Sequence, residues 1–218
     1  MKILTISDEE SPALWEHYVP GRLKDFDLIL SSGDLKSEYL SFLVTMARCP
    51  LLYVHGNHDG HYANRPPEGC DCIEDKLVTY NGLRILGLGG CRKYHPGPHQ
   101  YTESQMQRRI QRLRYQIRRA GGVDLVLTHA PAQGLGDGED PAHQGFAALR
   151  DFLDTYHPAY LVHGHVHLNY QQELPRLSAY ESTTIVNACG RYVLDIPDFP
   201  HRPENHNVLL WKSRKERG

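Results

Sequence analysis

The chain has 218 residues, a formal charge of −2, 40 % hydrophobic residues and 14 histidines. A sizeable core can be buried, so a wholly disordered chain is excluded, and the near-neutral charge gives no general pull toward nucleic acid or an anionic membrane. No segment approaches the ~20 apolar residues of a membrane span. The five cysteines, with no C-x-x-C among them, read as reduced thiols, so the expectation is a soluble cytoplasmic protein.

"KILTIS" (2–7) opens the chain with a continuous apolar run, the pattern of a strand covered on both faces. "DLILSSG" (27–33) is a second such run. A helix is predicted over 37–48, with Leu40, Leu43, Val44 and Ala47 on one face and Pro50 beyond its end. "LLYVHG" (51–56) is a third strand. Over 75–90, Asn81-Gly82 separates two strand-like runs, a strong two-residue hairpin signal. The segment 91–101 reads as an exposed loop, with the sharper alternative of a cationic, aromatic flap carrying Arg92, Lys93 and His95 against the far part of a substrate. Thr102-x-x-Gln105 forms a capping box for a helix to Ala120, which Gly121-Gly122 would close. Its stripe is Met106, Ile110, Leu113 and Ile117, and its many arginines read as a solvated surface rather than a nucleic-acid face.

"VDLVLTHA" (123–130) and "AYLVHGH" (159–165) are two further strands, with a helix over 144–156 turning Phe146, Leu149, Phe152 and Leu153 inward. In the loop between, Asp140-Pro141 reads as a helix start, while Asp140 and His143 are equally placed to line a pocket. Residues 180–196 read as two strands around Gly190. From about 197 a surface tail is expected, in which "NVLLW" offers a short edge strand. The sum is one layered α/β domain over residues 1–218 without repeat or linker.

What stands past the strands is unusual. Asp8 follows the first, Gly33-Asp34 the second, Gly56-Asn57-His58-Asp59 the third, His129 the fourth and Gly164-His165-Val166-His167 the fifth. Carboxyl ends of parallel strands are where ligands bind, so these groups should converge. Glycine lets the backbone come close while its neighbour points at the rim. Asp, Asn and His together make a mixed oxygen and nitrogen set suited to Mn, Fe, Zn, Co or Ni. His163, outside this spacing, reads as a packing or supporting residue.

"SDEE", "SGD", "GNHD", "THA" and "GHVH", in that order, resemble the calcineurin-like metallophosphoesterases. That resemblance implies a four-layer α/β/β/α sandwich and two divalent cations, with Mn or Fe favoured and Zn, Co or Ni as alternatives. It implies that Asp8 and His167 hold the first metal, that Asn57, His129 and His165 hold the second, and that Asp34 bridges them. His58 would donate to the phosphate and assist the leaving group, oriented by Asp59. Asn57 and His58, with Arg92 added from the loop, would meet the substrate. The implied reaction is in-line attack of a metal-bridging hydroxide on a phosphate ester.

The family has histidine two residues after its first aspartate, and here Glu10 stands there. Extended i, i+2 spacing would put Glu10 beside Asp8 and turn Glu9 away, which favours ligation by Glu10. The other outcome is Glu10 pointing away from a loosely held first metal. The function expected is hydrolysis of a small-molecule phosphodiester. The alternative is a non-catalytic metal-binding scaffold on the same fold. A nuclease would need a basic cleft that the charge balance does not suggest.

Overall fold

The structure, a computed structural model, describes residues 1–168 and 175–200. The "NVLLW" segment lies outside the described residues. In chain order the elements are β1 (Lys2–Ser7), β2 (Leu28–Ser31), α1 (Ser37–Met46), β3 (Leu51–Tyr53), β4 (Asp71–Cys72), β5 (Lys76–Tyr80), β6 (Leu83–Leu88), β7 (Cys91–Arg92), β8 (Gln100–Tyr101), α2 (Glu103–Ala120), β9 (Leu125–Thr128), α3 (Ala147–Tyr156), β10 (Tyr160–His163), β11 (Leu177–Tyr180), β12 (Thr183–Asn187) and β13 (Gly190–Asp195).

Two sheets carry the fold. The first runs β13-β1-β2-β3-β4 and the second β11-β12-β10-β9-β6-β5, while β7 and β8 pair separately. Within the first, β1 to β4 are parallel and β13 lies antiparallel to β1. Within the second, β6, β9, β10 and β12 are parallel, with antiparallel β5 and β11 at the edges. The continuous apolar runs are explained by burial on two sides. Ile3, Leu28, Leu30, Val78, Ile85, Leu125 and Val162 fill the space between the sheets. Leu40 and Leu43 of α1 cover the outer face of the first sheet. Met106, Leu113 and Ile117 of α2, with Leu149, Phe152 and Leu153 of α3, cover the second. The layering is helix, sheet, sheet, helix.

The capping box at Thr102 is formed in both directions, the Gln105 amide donating to Thr102 Oγ1 and Gln105 Oε1 accepting from the Thr102 amide. Asn81 and Gly82, with φ of 45° and 81°, make the hairpin turn between β5 and β6. Three details differ from the sequence reading. The α1 helix stops at Met46, where Ala47 turns extended ahead of Pro50. The α3 helix starts at Ala147, because Phe146 is extended and buried, and Asp140 instead closes a turn of its own by accepting from the amides of Ala142 and His143. Residues 197–200 are not all surface tail, since Phe199 packs on the core between the sheets.

Arg109 of α2 also departs from the solvated arginine face that was expected. It is buried, and its guanidinium bonds Glu74 at 2.9 Å, Asp75 at 2.8 Å and the Gly89 carbonyl at 2.7 Å while lying over the Tyr101 ring. Glu74 in turn meets His55 Nδ1 at 2.5 Å. This chain of contacts anchors the end of β3 to the α2 layer.

Candidate metal centre

The parallel strands β1, β2, β3, β9 and β10 end at one rim, and their following residues meet there. Asp34 Oδ2 lies 3.3 Å from His129 Nε2, and Asn57 Oδ1 lies 3.0 Å from the same nitrogen. His165 joins them, its ring centroid 4.8 Å from that of His129. Ligand atoms of Asp34, His129 and His165 all fall within 4.8 Å of one another.

Tautomers follow from the carbonyl partners. A carbonyl oxygen can only accept, so His129 Nδ1–H donates to Ser32 O at 2.8 Å and His165 Nε2–H donates to Ala142 O at 2.7 Å. His129 Nε2 is therefore aimed, with no donor of its own in a neutral ring, at two oxygens that also carry lone pairs. Only a proton or a cation makes such a convergence favourable. Two donors each about 2.1 Å from one ion lie about 3 Å apart, which matches these spacings. The donor set thus fits a divalent cation at Asp34, Asn57, His129 and His165.

The charges point the same way. Burial would push the Asp34 carboxyl up, but the His129 imidazole and the His58 amide outweigh it and hold the group down at about 2. Burial would lower His129, but Asp34 and Asp8 raise it to about 9. Burial, with His129 beside it, lowers His165 to about 3.

Glycine is needed where the segments touch. A Cβ on Gly56 would sit 2.0 Å from Asp34 Oδ1, and one on Gly164 would sit 2.6 Å from Asp8 Oδ2. Three residues of the rim are non-glycine with left-handed backbone: Asp8 at φ 63°, Asp34 at 56° and His165 at 67°. Such conformations cost roughly 1–2 kcal/mol each and gather at functional sites.

A calcineurin-like phosphoesterase profile matches residues 6–169, which include Asp8, Asp34, Asn57, His129, His165 and His167. The chain belongs to the calcineurin-like phosphoesterase family. That family's reaction is metal-dependent hydrolysis of phosphate esters, so this phosphoesterase is a hydrolase. One solved structure superimposes with a TM-score of 0.65 at 15 % identity, covering 89 % of this chain and 94 % of its own. A second, TT1561 of Thermus thermophilus, gives 0.54 at 15 % identity, covering 86 % of this chain and 88 % of its own. At that identity the likeness is one of fold. No curated protein matches the sequence.

The remaining candidates of the phosphoesterase fall as follows. Asp8 takes the His165 amide on both carboxylate oxygens, at 3.1 and 3.0 Å, and burial raises its carboxyl. Glu10 is engaged by Lys36: its Oε1 accepts from the Lys36 amide at 3.2 Å and faces Lys36 Nζ at 3.6 Å. Glu9 instead meets His167, Oε1 to Nδ1 at 3.2 Å. The expected alternation fails because Asp8 is left-handed and the Glu9 amide folds back onto Ser7 O at 2.6 Å.

Asp59 does not orient the His58 ring. One of its oxygens accepts from the amides of Gly56 at 2.7 Å and Asp34 at 2.8 Å, and the other, buried, has no partner among the described residues. It braces two ligand loops against each other, and burial, with Asp34 nearby, raises it to about 6. His58 is exposed, and its amide donates to Asp34 Oδ1 at 2.8 Å. Arg92 bonds Gln144 at 2.8 Å, joining the two loops at the mouth. Tyr94 reaches in from the same loop, its hydroxyl 3.4 Å from Asn57 Nδ2. His143 lines the centre, its ring 5.3 Å from His165. His163 is buried in packing, lowered to about 4 by burial, and donates to Gly164 O.

Sequence reasoning turned Glu9 away from the rim and did not single out Tyr94 or Cys189, which the structure brings to it. Cys189 follows β12, another strand ending at this rim, so the strand-end rule that found the others would have reached it.

Proposed function

We propose that this phosphoesterase hydrolyses a small-molecule phosphodiester in the cytoplasm. The reading is carried by the convergence of Asp34, Asn57, His129 and His165 on one point, with His58 exposed beside them. Bound cations, Mn or Fe, supply positive charge for the phosphoryl oxygens and acidify the attacking water. The chain's own residues do the positioning. The Ser32 and Ala142 carbonyls fix the two imidazole tautomers, and the His58 amide holds Asp34 while the residue itself is exposed, which leaves its ring the role of donor to a leaving oxygen. Arg92–Gln144 and Tyr94–Asn57 tie the 91–101 segment to the residues around the site, and on this proposal a site so bordered takes a compact substrate rather than a nucleic-acid strand. Among the described residues no helix is long and apolar enough to cross a membrane.

The test pairs metal analysis with hydrolysis of bis-p-nitrophenyl phosphate and p-nitrophenyl phosphate under added Mn(II). The diester is expected to turn over faster, and His58→Ala is expected to lower kcat by about 10²–10³ with metal content unchanged. Faster monoester turnover would reject the diester preference. Loss of metal in His58→Ala would reject the assigned role. Trace metal and no hydrolysis of either compound would favour the scaffold reading.

A further inference from the structure

Rim residues outside the resemblance gather around His167. Glu9 and Cys189, which the family pattern does not use, place their ligand atoms within 4.8 Å of each other and of a His167 nitrogen. We propose that the first cation of this phosphoesterase is held by Glu9, His167 and Cys189, so that one of its two metals carries a thiolate ligand. The inference rests on the metal-dependent reading above and goes beyond it by naming donors for the first metal.

Backbone geometry selects Glu9. The left-handed turn at Asp8 brings Glu9 to His167, and Glu10 is already engaged by the amide and ammonium of Lys36. The 3.2 Å between Glu9 Oε1 and His167 Nδ1 is the spacing of two donors sharing one ion.

Cys189 is held in place rather than merely near. Ser7 and Cys189 are bridged by backbone pairing, which ties the thiol's segment to the end of β1. Asn187 accepts the Cys189 amide at 2.9 Å and donates to Val166 O at 2.8 Å, tying the same segment to the loop that bears His167. Arg176 spans the carbonyls of Asn187 and Cys189 at 3.0 and 2.9 Å. Backbone pairing and the Asn187 and Arg176 side chains thus tie the Cys189 segment to the end of β1 and to the loop that bears His167.

The chemistry differs from that of the second site. A thiol that meets a divalent cation gives up its proton to solvent and binds as thiolate. Thiolate, imidazole and carboxylate together favour Zn(II), Co(II) or Fe(II) over Mn(II), whereas Asp34, Asn57, His129 and His165 offer only oxygen and nitrogen. The pair of metals is therefore chemically unequal. A second cluster, His55, Cys72 and Glu74, has a similar composition, but Arg109 and Tyr101 already occupy its carboxylate. Cys72 is therefore the internal control.

The full chain, stripped of metal, is titrated with Co(II) and followed by near-ultraviolet absorption and by bound-metal analysis. Two equivalents and a thiolate-to-Co(II) charge-transfer band are expected. Cys189→Ser should abolish the band, and Cys72→Ser should keep it. Glu9→Gln should weaken one equivalent by more than about tenfold, a loss that even an orienting neighbour of a ligand produces. Should Cys189→Ser fail to fold, X-ray absorption of the two-metal wild type should show one sulfur per two cations. Persistence of the band in Cys189→Ser, its loss in Cys72→Ser, or two bound cations with no sulfur neighbour would overturn this inference alone. A chain that binds no cation would overturn the phosphoesterase reading as well.

Discussion

Replacing Glu74 by glutamine keeps the side chain's shape and removes its charge. In the folded chain Glu74 Oε2 meets His55 Nδ1 at 2.5 Å, and Oε1 accepts from Arg109 at 2.9 Å and Tyr101 at 3.2 Å. Burial would raise the carboxyl, but His55 and Arg109 outweigh it and bring it from 4.5 to about 2. A folded value below the unfolded one contributes stability that is complete above the unfolded value and lost as pH falls through the folded one. That lowering corresponds to about 3 kcal/mol near pH 7 and less than half of that at pH 3. The amide also leaves a donor facing donors, which acts in the same direction. In urea denaturation at pH 7, Glu74→Gln is expected to be about 3 kcal/mol less stable than wild type, or roughly 6–12 °C lower in Tm for a domain of this size. The gap should shrink to under about 1.5 kcal/mol at pH 3. A gap below about 1 kcal/mol at pH 7, or one of equal size at both pH values, would refute the reasoning.

Gly56→Ala puts a Cβ 2.0 Å from Asp34 Oδ1 and 2.7 Å from His129 Cε1, so it should expel the second metal, seen as loss of one bound equivalent by mass spectrometry. Glu10→Ala removes a partially exposed partner of Lys36 and is expected to change stability by less than about 1 kcal/mol with metal content unaltered; loss of metal would return Glu10 to the ligand set. Asp124→Asn breaks the Arg84 pair, 2.9 and 2.6 Å at Nε and Nη2 with both side chains largely buried, and should cost about 3 kcal/mol in the same denaturation assay.

Much of the fold was legible because two-sided burial writes itself as unbroken apolar runs, and because Asn81-Gly82 and Thr102-x-x-Gln105 each specify one local geometry. The residues that converge at the rim were legible for a related reason. Strand ends of a parallel sheet share a rim, so Asp34, Asn57, His129 and His165 did not need sequence proximity to be grouped. Residues whose direction depends on one dihedral were not legible. A side-chain alternation argument for Glu9 and Glu10 holds only while the strand continues, and it ends at Asp8. Arg109 was hidden by a different cause. Its place beside the apolar stripe of α2 is unremarkable in sequence, and its burial depends on Glu74 and Gly89 arriving from other elements. Cys189 carries no motif, and its position is set by Asn187 and Ser7.

The left-handed residues of the rim connect these successes and failures. Asp8, Asp34 and His165 each sit in a conformation that costs roughly 1–2 kcal/mol for a residue with a side chain. None relaxes, because each is held by another segment. The Asp8 carboxylate takes the His165 amide, the His165 ring donates to Ala142, and the Asp34 amide donates to Asp59, whose same oxygen holds Gly56. The strain is therefore shared by loops that no single strand controls. A strand-by-strand reading can say which residues arrive at the rim. Which way each one points is decided only after the neighbouring loop is in place, and the first metal's donors are where those two questions part.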